Sequence, residues 1–273
     1  MSDYDNLLEF IRRIGGYSVT AMSRKAKQPR GGYLPPKAFT VESLGAGIEE
    51  LDTTESTHPG LVGTAVDYLT RIMMGSPAEE VFRVSYRGSR RVQKHRTAEK
   101  LMAGVKGLDR DSIINSVKLA GFDVIVRAGR IHYRPIEDIM PDEAAINNIV
   151  IMVNRCLNFF EQHGPVIMDG ITFEGGYTDV VSSGDGDYLT ADSIWDFKVS
   201  KDPIKKEHTL QLLMYWIMGM HSIHPEYRDI RYLGIYNPRL NIAYRIDVKD
   251  IPEETVNLVC KDVLCYKDAD QTV

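Results

Sequence analysis

The sequence predicts a mixed α/β protein, a central sheet flanked by helices with a helical N-terminal portion, and two observations carry that expectation. Up to about residue 140 the apolar positions recur at helical spacing between Gly and Pro stops. Beyond it, short stretches rich in β-branched and aromatic residues lie between long helical patterns. The second half reads as helix, three strands, helix, two strands, an order in which the central helix crosses over between strands. We therefore divide the 273 residues into a helical portion, 1–140, and an α/β core, 141–273.

Each element follows from local chemistry. Residues 4–13 have helical spacing and stop at Gly15-Gly16. Residues 22–38 are basic and rich in Gly and Pro, which predicts an exposed, mobile loop. Helices are expected over 41–51 and 60–74, in parts of 78–106, and over 109–119, where the pattern opens on Asp109. Pro141-Asp142-Glu143 opens a long helix that ends at His163-Gly164-Pro165. Strands follow at 166–173, at 185–190 and at 194–200, with a further β-rich stretch ending near 181. A helix over 207–222, strands at 230–236 and 241–248, and a terminal helix over 253–266 complete the chain.

Composition excludes several classes. With 43% hydrophobic and 26% charged residues the chain is neither disordered nor fibrous. A net charge of −5 is not that of a wholly basic nucleic-acid binder, so any such binding is local. Cys156, Cys260 and Cys265 lack the spacing of a zinc site and are too few for an iron–sulfur cluster, so reduced thiols and no cluster are expected. The N-terminus lacks a basic region followed by an apolar run, and every apolar run is well short of the ~20 residues that span a bilayer. A cytoplasmic protein without membrane association is the expectation.

The chemistry concentrates in 183–200, SGDGDYLTADSIWDFKVS. A hairpin turning at Ala191-Asp192 sets Asp187 opposite Asp196, and the period of two puts Asp185, Asp187, Asp196 and Lys198 on one face. Like charges facing one another across a sheet are destabilising unless something neutralises them. Two carboxylates with a strand carbonyl, that of Phe197, make the incomplete oxygen set that Mg²⁺ accepts while keeping its waters. A calcium loop fails because Thr190 stands where a turn glycine is needed and strands flank the segment. A glycosidase-type pair gives Lys198 no role.

Asp187, eight intervening residues, then Asp196-Phe197-Lys198 resembles the PD-(D/E)XK nuclease motif. Further along, His208-Thr-Leu-Gln211-Leu-Leu-Met-Tyr215 resembles the Q-x-x-x-Y helix motif of its RecB-type and CRISPR-adaptation exonuclease branch. Upstream, Gly63-Thr-Ala-Val-Asp67 is similar to that branch's G-x-x-x-H motif, with Asp67 where the family has a metal-ligating histidine. The resemblance covers roughly 60–75 and 142–248. It implies a restriction-endonuclease-like core and a metal-dependent deoxyribonuclease, with an exonuclease preferred. Asp187, Asp196 and the Phe197 carbonyl would hold Mg²⁺ or Mn²⁺, with Asp67 a further ligand. Lys198 would orient or help deprotonate the attacking water, and Gln211 and Tyr215, four apart on one helix face, would position substrate or lysine. Asp179 and Asp185 remain alternatives to Asp187.

A second local signal lies in 83–100, which has seven Lys or Arg against one acid. Arg83, Arg87, Arg90 and Lys94 share a face at helical spacing, and with Arg91 they form a candidate phosphate-binding patch on which Tyr86 could stack a base. Arg24, Lys25, Lys27 and Arg30 extend it. DNA, single- or double-stranded, is the expected partner, with a helicase or recombination protein as a candidate second one. The competing expectation is an inactive nuclease fold serving as a nucleic-acid-binding or assembly module.

Overall fold

The computed structural model describes residues 15–45 and 49–267. The expected helix over 4–13 therefore lies outside the described residues. Eight strands are present among them: β1 Tyr17–Ser18, β2 Thr40–Ser43, β3 Val166–Asp169, β4 Val181–Ser183, β5 Tyr188–Thr190, β6 Ser193–Phe197, β7 Tyr232–Asn237 and β8 Ile242–Asp247. The helices are α1 Val19–Lys25, α2 Pro59–Met73, α3 Ala78–Val81, α4 Arg83–Arg91, α5 His95–Ala103, α6 Arg110–Arg127, α7 Glu143–His163, α8 Lys206–Met220 and α9 Glu253–Val259.

Six strands form one mixed sheet in the order β2-β8-β7-β6-β5-β3, and β1 pairs with β4 separately. Within the large sheet only β6 and β7 run parallel, and α8 makes the crossover between them. That crossover explains the composition of α8: Thr209–Gly219 is buried without interruption, as befits a helix packed on a sheet and covered from outside. Ile194, Leu233 and Ile235 face α8 and α9 in one apolar core, together with Val19, Leu34 and Phe39. The alternate residues Trp195 and Tyr236 face α2, α6 and α7 in a second core. With both faces covered, β5, β6 and β7 are apolar runs rather than alternating strands.

Helix α7 is the spine of the second core. Ile146, Ile149, Val153, Cys156 and Phe159 recur at three- and four-residue steps and are all buried. Its N-cap Asp142 accepts from the N–H of Ala145 at 2.8 Å and from the N–H groups of Ser56 and Thr57 at 3.0 and 2.8 Å. Burial opposes the charge, but the N–H of Ala145 and the donors of Ser56 and Thr57 outweigh it and hold the carboxyl well below its usual range.

The structure corrects several expectations. Residues 40–43 form the edge strand β2, antiparallel to β8, not the start of a helix over 41–51. The apolar positions had helical spacing, yet Thr40 and Val41 are β-branched and β8 offers an open edge. The segment 22–38 is not simply an exposed loop: it begins in α1, buries Leu34, and is tied down by the Thr209 hydroxyl, which donates to the Leu34 carbonyl. The strand expected over 166–173 ends at Asp169, and Gly170 turns the chain with φ +56°. Helix α6 runs eight residues beyond the expected end at 119, and α9 gives way at Cys260 to a wider turn. No helix among the described residues is long and apolar enough to cross a membrane. Cys156 and Cys260 are buried in different cores.

Replacing Asp142 by Ala should lower unfolding free energy by ~1–2 kcal/mol through loss of the cap. A depressed carboxyl stabilises above its unfolded pKa and loses that contribution as pH falls through the folded one. Urea denaturation should accordingly show the full deficit at neutral pH and convergence of Asp142→Ala with wild type in strong acid.

Candidate active site

The hairpin of β5 and β6 pairs Tyr188 with Trp195 and Leu189 with Ile194, so Asp187 meets Asp196 one step further along. Leu189 and Ile194 both belong to the core beneath α8. Alternation then turns Asp187 and Asp196 toward the same side, where the hairpin opens into a cleft. The N–H of Phe197 donates to Asp187 Oδ2 at 2.6 Å, and Gly170 N–H donates to the Asp187 carbonyl at 2.8 Å. Asp196 is 2% exposed, and its Oδ2 lies 2.6 Å from Lys198 Nζ. The two form an ion pair without hydrogen-bond alignment, which leaves Oδ2 a buried acceptor with no hydrogen bond.

Helix α8 supplies the facing wall. Gln211 and Tyr215 sit one turn apart, with the amide Nε2 2.6 Å from the phenol oxygen. Tyr215 donates onward to the Asp185 carbonyl at 2.8 Å, and Gln211 Nε2 donates to Thr20 of α1 at 3.0 Å. Asp67 arrives from α2 and accepts from the Tyr188 hydroxyl at 3.1 Å. A cleft of about 690 Å³ is lined by all seven residues expected at the catalytic and metal positions: Asp67, Asp187, Asp196, Phe197, Lys198, Gln211 and Tyr215. Asp179, one alternative first acid, does not line it.

The electrostatics are those of crowded carboxylates. Burial pushes Asp187 well above the usual carboxylate range, and the negative charges of Asp196 and Asp67 add to the rise. Burial also raises Asp67, against the pull of Arg71 and the Tyr188 hydroxyl. His208, in the same cleft, is lowered by burial and then by the positive Lys198.

Three carboxylates and an amine were expected to converge; the structure joins two. Asp185 also lines the cleft but is paired with Arg127, 3.2 Å distant, and Asp67 is engaged by Tyr188. Among the described residues no three His, Cys, Asp or Glu side chains come together as a ready metal cage. What remains is Asp187, Asp196 and the strand carbonyl of Phe197, with the buried Asp196 Oδ2 still lacking a hydrogen bond. That donor set fits a hard divalent cation retaining several waters.

The basic patch is reorganised too. Helix α4 stops at Arg91, and Gln93 adopts φ +60°, so Lys94 is not on the face that carries Arg83, Arg87 and Arg90. Lys94 pairs instead with Glu137 at 2.9 Å. Arg91 points back to the Ile125 carbonyl of α6 at 3.4 Å. Tyr86 donates to Glu99. Only Arg83 of the five lines the cleft, while Arg87 and Arg90 are exposed outside its lining. Helix α4 crosses α6 closely, a Cβ at Gly88 colliding with the Phe122 carbonyl, and Arg83 lines the cleft from the N-terminal end of that helix.

Arg24, expected to extend the basic patch, also lines the cleft, and so do Arg71, Arg127 and Lys205, to which the sequence reading gave no role. Arg24 lay in the basic loop signal, but nothing local marks Arg71 or Arg127, whose partners Asp169 and Asp185 are distant in sequence. Comparisons with family models, with curated proteins and with solved structures gave no match for this chain.

Removing one of the facing charges should relieve the metal-free protein. A carboxyl raised by folding costs stability as pH climbs through its folded pKa. In chelator at pH 8, Asp187→Asn should therefore melt about 2–4 °C above wild type, the shift ~1 kcal/mol produces at this size. The advantage should fade as pH falls, and Mn²⁺ should raise the melting temperature of wild type but not of the variant. Scanning fluorimetry checks both.

Proposed function

We propose that the protein is a metal-dependent nuclease of restriction-endonuclease-like fold that hydrolyses DNA phosphodiester bonds, with exonucleolytic cutting preferred. The observation that carries this reading is the meeting of Asp187, Asp196 and Lys198 with Gln211 and Tyr215 in one cleft. The topology supports it: α7, four strands of which the last two form the acidic hairpin, then α8 crossing to the parallel strand β7. The preference for ends rests on the likeness of Gln211 and Tyr215 to the RecB-type motif.

Asp187, Asp196 and the Phe197 carbonyl would hold Mg²⁺ or Mn²⁺, which supplies Lewis-acid activation of water and charge compensation for the phosphate. Lys198 Nζ, beside Asp196, orients the attacking water and helps draw off its proton. Gln211 and Tyr215 fix the loop at Asp185 and present polar edges to the substrate backbone. Arg83 from α4 and Arg24 from α1 stand in the cleft as phosphate contacts. His208, its pKa lowered by burial and by Lys198, lines the cleft and accepts the Lys205 N–H at Nδ1.

Digestion of end-labelled linear DNA, single- and double-stranded, beside closed circles tests the reading. Linear DNA should be lost with Mg²⁺ or Mn²⁺ and spared with chelator, circles should persist, and Lys198→Ala should slow cleavage by about 10²–10⁴-fold. Metal-independent loss would overturn the metal-dependent mechanism, and binding without cleavage in every condition would return the protein to an inactive binding module. In fluorescence anisotropy, Arg24→Ala and Arg83→Ala should each weaken DNA binding and flatten its salt slope by about 0.7–0.9. Arg87→Ala and Arg90→Ala should leave that slope unchanged.

A further inference from the structure

The helical portion touches the segments that flank the acidic hairpin through two arginines. Arg71 of α2 bonds Asp169 at 3.0 Å, which Ser76 also holds. The next residue, Gly170, donates its N–H to the Asp187 carbonyl. Arg127, the last residue of α6, reaches Asp185 at 3.2 Å while its Nε approaches Asp123 at 3.4 Å. Asp123 is itself buried and receives the hydroxyls of Tyr68 at 2.7 Å and Ser85 at 2.6 Å. Arg127 is therefore anchored from behind and spans to a half-exposed carboxylate two residues before Asp187. A guanidinium suits this position because its planar fork serves two carboxylates at once. The backbone of Asp185 is gripped from the opposite wall by the Tyr215 hydroxyl.

We infer that Arg127 is a positioning residue: through Asp185 it ties the helical portion to the 185–187 loop and sets Asp187 at the distance from Asp196 that the metal requires. Asp185 is thus the handle by which the loop is held, and Arg71 with Asp169 steadies the other side of Asp187. The inference rests on the nuclease reading and adds to it a task for α6 that DNA binding does not require. Bulk solvent and phosphate can reach Arg127, which is half-exposed, so a direct substrate contact is the rival role.

The experiment is a double-mutant cycle on the full chain with Asp185→Asn, Arg127→Lys and their combination. Asp185→Asn leaves the Arg127–Asp123 pair in place and alters a half-exposed side chain, so folding is preserved. Mn²⁺ affinity by calorimetry and kcat and KM for linear DNA are read for each. The expected result is a five- to fiftyfold loss of kcat and of Mn²⁺ affinity in each single variant, with KM little changed and the double variant no worse than either. A rise in KM alone, with Mn²⁺ affinity intact, would make Arg127 a phosphate contact and overturn the inference. So would additive losses, or a fall in melting temperature with kcat unchanged. If wild type binds Mn²⁺ and cleaves while both variants match it, the inference alone falls; if wild type does neither, the nuclease reading falls and takes the inference with it.

Discussion

Two carboxylates held face to face across a hairpin are the constraint around which the rest of this structure is arranged. Asp187 and Asp196 repel, and the second is withdrawn from water almost completely. A sheet alone would not keep them there. What keeps them is the packing of both faces: Leu189 and Ile194 beneath α8 and Tyr188 and Trp195 beneath α7 leave the hairpin no freedom to splay. The repulsion is then offset locally by the Phe197 N–H and by Lys198. Energy stored in that arrangement is what a cation would release.

The surroundings of the cleft show how unlike elements converge on that pair. Helix α8 brings Gln211 and Tyr215 because it must cross from β6 to the parallel neighbour β7, and a crossover helix starts beside the strand end it left. Helix α2 brings Asp67 from the opposite side, and the Tyr188 ring passes between the two regions to bond it. Helix α1, only seven residues long, is drawn in by the Gln211–Thr20 hydrogen bond and by Val19 in the core, and so places Arg24 on the rim. The positive groups of the cleft thus come from different elements and no linear stretch of sequence contains them.

This explains what the sequence made legible and what it hid. The hairpin was readable because its chemistry is local: Asp187, Asp196, Lys198 and the turn between them lie within twelve residues and obey the period of a strand. Gln211 and Tyr215 were readable for the same reason on a helix. Helices opening on Asp109 and Asp142 were marked by their caps. Strand β2 was hidden because its partner lies some two hundred residues away, and pairing with β8 outweighed a helical apolar spacing. The Arg83–Lys94 face was misjudged at its far end because a single left-handed residue, Gln93, interrupts the helix, and no glycine announces it. Arg127 and Asp185 were invisible as a pair, since charge complementarity across 58 positions leaves no periodic trace.

Strand β2 has a consequence for how the chain comes together. Thr40 and its neighbours are made long before the backbone they need, which is in β8, whose Arg245 carbonyl receives the Thr40 hydroxyl across 205 positions. Val19, Leu34 and Phe39 likewise belong to a core whose other buried members lie beyond residue 170. Residues 17–43 must therefore wait, without these partners, until the segments beyond residue 170 have been made. Contacts of such long range pay their loop-closure entropy late, so the sheet edge should be the last part to close and the nascent chain should depend on chaperones until it does.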